Sequence, residues 1–552
     1  MLADARAVDE GREVRADLCV IGAGAAGITL ARSFAGRRAT VVVLESGGED
    51  IDDTNQDLYR GESVGLPYFP LEAARLRYLG GSTNHWGGLC APFRQKDFEA
   101  RDWIPYSGWP ISRSDLDAHY PAARELVQLR SDEWEPAAWI ERDRFDPLPL
   151  GSRVDVRIAQ LVPKPRRSFA DAYRDELVRA SNVTVYLHAN ATQLVPADGG
   201  RSIEVVRVAT LSGRRFDVRA AHVVVACGGM ENPRLLLASN VGNERDLVGR
   251  FFLEHPRFEA ARLVPFDDDL RVGFYQPHDV DGTELQGYIA LPDETQAREG
   301  LVDVQALTEP VYAESFEEAI DSSDVEAARM LARGARRGDL DGLRSNVVAV
   351  ARDLTTFARS TIPGAPLPVP LPGTSTDEAS IPEHFGDIAA RLYKELRGGA
   401  PLDHIRLRTR LDPAPNPESR ITLGRQRDAL GMPRIQLDWR LSDVDRRSVA
   451  RTIDIAGAAF GRAGLGRAQL LFDAEGTTWP DDLTGGWHHM GTTRMSDSPA
   501  TGVVDRDCRV HGVANLHVAG SSVFPTSGSS TPTLTIVALA LRLAEHLKGV
   551  LR

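Results

Sequence analysis

The chain has 552 residues, of which 42% are hydrophobic and 26% charged, and a formal net charge of −13. That length argues for two domains, and interspersed acids and bases leave no concentrated basic surface for nucleic acid or an anionic membrane. Cys19, Cys90, Cys227 and Cys508 stand far apart without metal-ligand spacing, so neither a disulfide scaffold nor a zinc site is expected.

The first nineteen residues contain no apolar run of signal-peptide type and no twin arginine. No segment approaches the roughly eighteen uncharged apolar residues of a membrane span, so the expectation is a cytoplasmic protein without a membrane partner.

Asp17–Ile21 is almost wholly apolar, as expected of a strand buried in a parallel sheet. Gly22-Ala23-Gly24-Ala25-Ala26-Gly27 follows at once, then Ile28, Leu30, Ala31 and Phe34 at helical spacing. Thr40–Leu44 reads as a second strand, ending at Glu45 and Ser46. Strand, glycines, helix, strand and acid in this order form a dinucleotide-binding fingerprint. Gly22 serves the tight turn, Gly24 the approach of a pyrophosphate, and Gly27 the close packing of helix on strand. The helix N-terminus offers its N–H groups to phosphate, and Glu45 can accept from a ribose hydroxyl. The motif itself does not separate NAD from FAD; its place near the chain start favours FAD.

Residues 50–180 are turn-rich and read as an irregular excursion. Within them Gly80-Gly81-Ser82-Thr83-Asn84-His85-Trp86-Gly87 has neither helical nor strand period. A tight turn or a buried aromatic beside a satisfied histidine would explain it; so would contact with a ligand. Residues 181–195, which include Ala191, alternate like a strand pair. Residues 219–239 read as a strand through Ala226, a turn at Gly228-Gly229 and a helix. His255 is expected to cap a turn, and Cys90 and Cys227 to be small buried residues near the ligand.

The Ala-, Arg- and Glu-rich stretch 310–360 is expected to be helical, and the proline-rich 363–380 to be a loop. Residues 420–445 read as a hairpin turning at Asp428–Gly431. Asn515–Gly520, followed by Ser521, reads as a strand. Thr531 precedes Pro532 and Thr533 at the head of a helix carrying Leu534, Val537, Ala538, Leu541 and Ala544 and closing at Lys548-Gly549.

The glycine fingerprint, the Gly80–Gly87 loop, "ACGGMENPRLLL" and the tail "HHMGTTRM…FPTSGSSTPTLTIVALALRLAEHL" together resemble the glucose–methanol–choline (GMC) flavin oxidoreductases, from about residue 16 to 548. Within that family the tail most resembles the pyranose 2-oxidase and sugar dehydrogenase branch, which shares glycine at Gly520. The resemblance implies an α/β plus α+β fold: a discontinuous Rossmann-like FAD domain (1–100, 180–260 and 485–552), and a substrate domain (101–179 and 261–484) on a large, mainly antiparallel sheet backed by helices. It implies alcohol oxidation by hydride transfer to flavin N5, then reoxidation by oxygen or a diffusible quinone-type acceptor. The substrate expected is a small-molecule alcohol, a sugar or glycoside; a sterol or aliphatic alcohol is the alternative. A flavin-retaining lyase and an inactive flavin-binding scaffold are the rivals.

The resemblance also assigns residues. His488 falls at the catalytic-base position, and imidazole suits proton abstraction at neutral pH; His489 stands behind it. Thr531 replaces the family's Asn or His, either as a hydrogen-bonding partner of the substrate, with Ser529 or Ser530 sharing the work, or simply as the N-cap of the last helix. That helix N-terminus would stabilise negative charge on reduced flavin. His85 matches the histidine that bonds covalently to flavin in pyranose and choline oxidases, and Trp86 continues the pattern. Gly87 replaces a threonine, which weakens the case for fast reaction with oxygen.

Overall fold

The computed structural model describes residues 1–267, 270–312 and 402–551. The expected helices of 310–360 from Ala313 onward, and the proline-rich loop 363–380, lie outside the described residues. Two compact units are distinguished: Met1–Val264, Arg271–Glu309 and Arg406–Arg552 form the first. The second, Pro265–Leu270 and Pro310–Ile405, is described only at a few residues, most of them strand ends. Everything below concerns the first unit.

The fingerprint folds as its residues dictate. Strand Glu13–Ile21 lies between Val41–Leu44 and Arg215–Val225, parallel to both, with Leu18 opposite Val41 and Cys19 opposite Val223. Leu18–Ile21 and Val41–Leu44 are buried on both faces, which is why they read as unbroken apolar runs. Two close approaches demand glycine: a Cβ on Gly22 would lie 2.6 Å from the Ala226 carbonyl oxygen, and one on Gly27 only 1.9 Å from that of Gly22. Helix Ala25–Phe34 buries Ile28, Leu30, Ala31 and Phe34 and packs along the last helix, Thr533–Val550.

Chain order across this first sheet is Leu2–Asp4, Val183–Leu187, Val41–Leu44, Glu13–Ile21, Arg215–Val225, Ile203–Ala209 and Asn190–Pro196. The last two strands run antiparallel, and Leu516–Val518 joins parallel to the end of Arg215–Val225. Segments far apart in sequence thus complete one sheet. Residues 181–195 do form two strands, yet they are not partners: Val183–Leu187 pairs with Val41–Leu44, and Asn190–Pro196 with Ile203–Ala209. Alternation reports a half-buried strand and says nothing of its neighbour.

A second eight-stranded sheet has the order Gly466–Leu470, Glu259–Pro265, Leu402–Leu411, Val304–Tyr312, Thr283–Ala290, Asp155–Leu161 and Leu89–Cys90, with His278–Val280 on Thr283–Ala290. Thr283–Ala290 is antiparallel to each of its partners. Long helix Asp443–Arg462 packs beside Gly466–Leu470, and its Ser442–Asp445 capping box ties down its start. The supposedly irregular 50–180 therefore supplies a strand to this sheet, Asp155–Leu161, and a helix, Phe169–Arg179. Arg420–Arg427 and Pro433–Asp438 form the expected hairpin, with Asp428 Oδ1 accepting from Leu430 and Met432 N–H in the turn. Among the described residues no helix is long and apolar enough to cross a membrane.

Candidate active site

Three parallel strands of the first sheet end, on the same side, in glycines that face open space. Glu13–Ile21 leads into Gly24, Arg215–Val225 into Gly228 through Ala226, and Leu516–Val518 into Gly520. A Cβ on any of these three would meet no protein atom within 4 Å, whereas Gly22 and Gly27 are walled in. Such a cradle beyond the carboxyl ends of parallel strands fits an extended dinucleotide, and FAD is the group its residues suit. Gly24 stands at the N-cap of the helix that Ala25 and Ala26 begin, so unpaired N–H groups face the cradle.

Glu45 is buried at the end of its strand, its carboxylate accepting from Ala23 N–H and Gly47 N–H at 2.9 Å each and from Ser46 Oγ at 3.3 Å. It is thereby aimed across the glycine turn. Ala189 N–H bonds to the Glu45 carbonyl, which brings Ala191, two residues on, to the same edge.

The loop Gly80–Gly87 lies against this turn. Gly80 N–H donates to the Ala23 carbonyl at 2.9 Å, and a Cβ on Gly81 would sit 3.3 Å from Gly24 Cα. Two of its side chains serve the scaffold. Asn84 donates to Leu79 O and accepts from Ser168 Oγ, and Trp86 Nε1–H donates to Arg167 O at 2.9 Å. Ser82, His85 and Gly87 are exposed, the His85 ring standing edge-on to Tyr78.

His488 and His255 meet at the second focus. Their Nδ1 atoms are 2.8 Å apart, and His255 Nε2 lies 2.7 Å from the Gly528 carbonyl oxygen. A carbonyl only accepts, so His255 Nε2 carries the proton. Burial holds the pKa of His255 down at about 3, so its ring is neutral and Nδ1 keeps a lone pair. His488 Nδ1–H must then be the donor to it, which leaves His488 Nε2 as an unprotonated nitrogen. The pKa of His488 is also driven well below the usual 6.5, first by burial, then by His255, Arg257 and Arg410. The tautomer and the charge state both suit a base.

Beneath them lies Glu254, fully buried and with its pKa raised by burial. Its carboxylate accepts from His255 N–H (2.7 Å), Gly486 N–H (3.0 Å), His488 N–H (2.9 Å) and the Tyr68 hydroxyl. All four partners are donors, which matches the acceptor-only ionised form. Tyr68 in turn accepts from His489 Nε2 at 2.8 Å, so His489 supports the loop instead of facing a ligand. Ser521 Oγ donates to His489 O, and a Cβ on Gly229 would lie 2.2 Å from that same oxygen. The histidine loop is thus pinned against the helix that begins at Gly228.

Several expectations are corrected here. His255 does not cap a turn; it orients His488. Thr531 is not an N-cap: Pro532 occupies that position, the helix starts at Thr533, and the Thr531 hydroxyl donates to the Leu89 carbonyl. Its proton is committed, so toward any ligand it can only accept. Ser529 is similarly engaged, donating to Asp303 Oδ2 and accepting from Gln305. Cys90 is fully buried and Cys227 half-buried, with the thiol of Cys227 pushed up to about 12, so neither is a nucleophile. Sequence reasoning missed Glu254 and Tyr68 altogether; the adjacent acid and histidine of "LEHP" were the available signal.

Two family models match the chain: "FAD dependent oxidoreductase" over residues 17–333 and "GMC oxidoreductase" over 415–540. A C-glycoside 3-oxidase of Microbacterium trichothecenolyticum is 27% identical over 499 residues, 88% of this chain and 76% of that one. A 2-methyl-1,2-propanediol dehydrogenase of Mycolicibacterium austroafricanum is 24% identical over 96% and 95% of the two chains. Among solved structures, pyridoxine 4-oxidase from Mesorbium loti superposes with a TM-score of 0.52 at 18% identity, covering 96% of this chain and 98% of that one. At that identity the likeness concerns the fold.

Glu254→Gln would set an amide NH₂ among four donors. It should cost on the order of 2–3 kcal/mol in denaturant unfolding of the purified protein. A change below about half a kcal/mol would mean that the carboxylate does not hold the loop.

Proposed function

Because the chain belongs to the GMC family of FAD-dependent oxidoreductases, enzymes acting on CH–OH groups, we propose that it oxidises a secondary hydroxyl of a sugar or glycoside to the ketone, with His488 as the base. The observation that carries this reading is the histidine pair, which leaves one nitrogen of a neutral, immobilised imidazole without a proton. His488 Nε2 takes the hydroxyl proton, and His255 keeps the ring in the tautomer that can do so. When bound, FAD supplies the acceptor for the hydride of the same carbon. Gly24, Gly228, Gly520 and Glu45 would hold it, together with Ser46, Ala191, Ser521 and the N-terminus of the helix that Pro532 and Thr533 open. Thr531 has only an acceptor to offer a substrate hydroxyl. The first sheet is the core of the cofactor domain and the second that of the substrate domain, and reoxidation falls to oxygen or a quinone-type acceptor.

The sugar or glycoside assignment draws on the C-glycoside 3-oxidase relative. The propanediol dehydrogenase relative, which spans nearly the whole chain, supports a second reading in which the substrate is a small aliphatic alcohol. His85, exposed beside the glycine cradle, is the proposed covalent tether for FAD.

His488→Ala should slow anaerobic bleaching of the flavin by 10²-fold or more, a loss of general-base size. Since burial and nearby cations depress the pKa of His488, the base is already neutral at physiological pH. Activity should therefore fall only as pH drops through a value below the ordinary 6.5, and an acid limb at or above pH 7 would remove His488 from the role. Acid-precipitated wild-type protein should stay yellow while His85→Ala releases its colour; colour released from both would rule the tether out.

A further inference from the structure

We infer that the substrate carries an oxyanion, a carboxylate or a phosphate, which docks between the buried guanidinium groups of Arg257 and Arg410 beside His488. The inference rests on the alcohol-oxidation reading of that site and names the class of alcohol.

Arg410 is 1% exposed, and its Nε and Nη1 have no hydrogen-bond partner. Its Nη2 donates to Gln305 Oε1, and the guanidinium lies 4.9 Å over the Tyr288 ring, so the group is held in place with donors to spare. Arg257 Nε is likewise buried and unpartnered, and neither arginine has a carboxylate within ion-pair distance. The nearest acid in sequence, Glu254, is already engaged by its four donors.

The two arginines are neighbours. Thr409 N–H bonds to the Phe258 carbonyl, which sets residues 410 and 257 beside each other on adjacent segments. Like charges across adjacent strands repel, and after burial it is Arg410 that does most to lower the pKa of Arg257. They are also at the base. A Cβ on Gly486 would lie 3.3 Å from His488 Nδ1 and 3.4 Å from Arg257 Nε, so both groups flank one point. From Arg410 a chain of hydrogen bonds runs through Gln305 to Ser529, next to the Gly528 carbonyl that orients His255.

Elsewhere this chain pays for buried arginines with carboxylates. Arg101 pairs with Asp412, Arg157 with Asp303, and Arg234 with both Glu231 and Asp428. Arg494, the other deeply buried arginine with two unpartnered nitrogens, lies over the Phe251 ring at 4.6 Å and donates to Tyr106 O. Two adjacent desolvated guanidinium groups with open donors and no counter-charge are costly unless an anion completes them, and the planar fork suits a carboxylate or phosphate. Both come from the second sheet and the segment entering it, away from the glycine-lined edge that fits FAD, so the anion belongs to the substrate. The same charges disfavour cationic amino sugars.

The test uses the FAD-loaded enzyme at constant ionic strength. Sodium acetate and inorganic phosphate are titrated separately while the flavin visible spectrum is followed. Anaerobic bleaching rates are then compared for glucuronate, glucose 6-phosphate, glucose and glucosamine. A saturable spectral change with acetate identifies a carboxylate, and one with phosphate identifies a phosphate. The matching acidic sugar should exceed glucose in kcat/KM by 30-fold or more, with glucosamine lowest. In Arg410→Met the saturable change should vanish and that preference collapse; Arg257→Gln provides the same reading if the first variant does not fold. No saturable response to either ion overturns the inference, as does a response unchanged in both variants. If no sugar bleaches the flavin, the sugar reading fails, while the ion titrations still decide whether an oxyanion binds.

Discussion

One backbone carbonyl governs the chemistry of this site. Gly528 O accepts from His255 Nε2, and everything at the base follows from that single constraint. A neutral imidazole has one proton, so spending it on Gly528 leaves His255 Nδ1 only able to accept. His488 must donate to it from Nδ1, and its far nitrogen is left as a lone pair. Burial removes the competing protonated states, because an imidazolium in this environment would lack both water and a counter-charge. The basicity lost by lowering the pKa is offset by certainty about where the proton is.

The surrounding structure makes that geometry rigid. Glu254 gathers the N–H groups of His255, Gly486 and His488, so both histidine segments are tied to one carboxylate. Tyr68 links the same carboxylate to His489, while Ser521 and Thr492 tie the loop to the end of the first sheet and to the helix from Gly228. The base is therefore fixed relative to the strand ends whose glycines face the cradle. A cofactor laid along those strand ends and a base held from the same elements share one frame of reference, which is what near-attack geometry requires.

How much of this could be read in the sequence depended on how local each cause was. The fingerprint was legible because Gly22, Gly24 and Gly27 each answer to a neighbour only a few residues away or to a turn of fixed form. The hairpin at Asp428–Gly431 was legible for the same reason. The position of His488 came from resemblance, since nothing in "GWHHMGTTRM" distinguishes its two imidazoles. What separates them is His255, 233 residues earlier in the chain, and Tyr68, 421 residues from His489. Thr531 shows the converse. Its local context, Thr-Pro before an apolar helix, is that of a cap, and a carbonyl 442 residues distant captured its hydroxyl instead. The paired strands expected at 181–195 failed because alternation carries no record of partners. Arg257 and Arg410 gave no signal at all: an arginine without a carboxylate is recognisable only once its neighbours are known.

The proton positions on the two imidazoles can be observed directly. Nitrogen-15 NMR of histidine-labelled protein near neutral pH, with resonances assigned through His255→Gln and His488→Gln, reports which ring nitrogen of each bears hydrogen. The account predicts hydrogen on Nδ1 of His488 and on Nε2 of His255, with His488 Nε2 bare. Hydrogen on His488 Nε2, or a charged ring at either position, would contradict it.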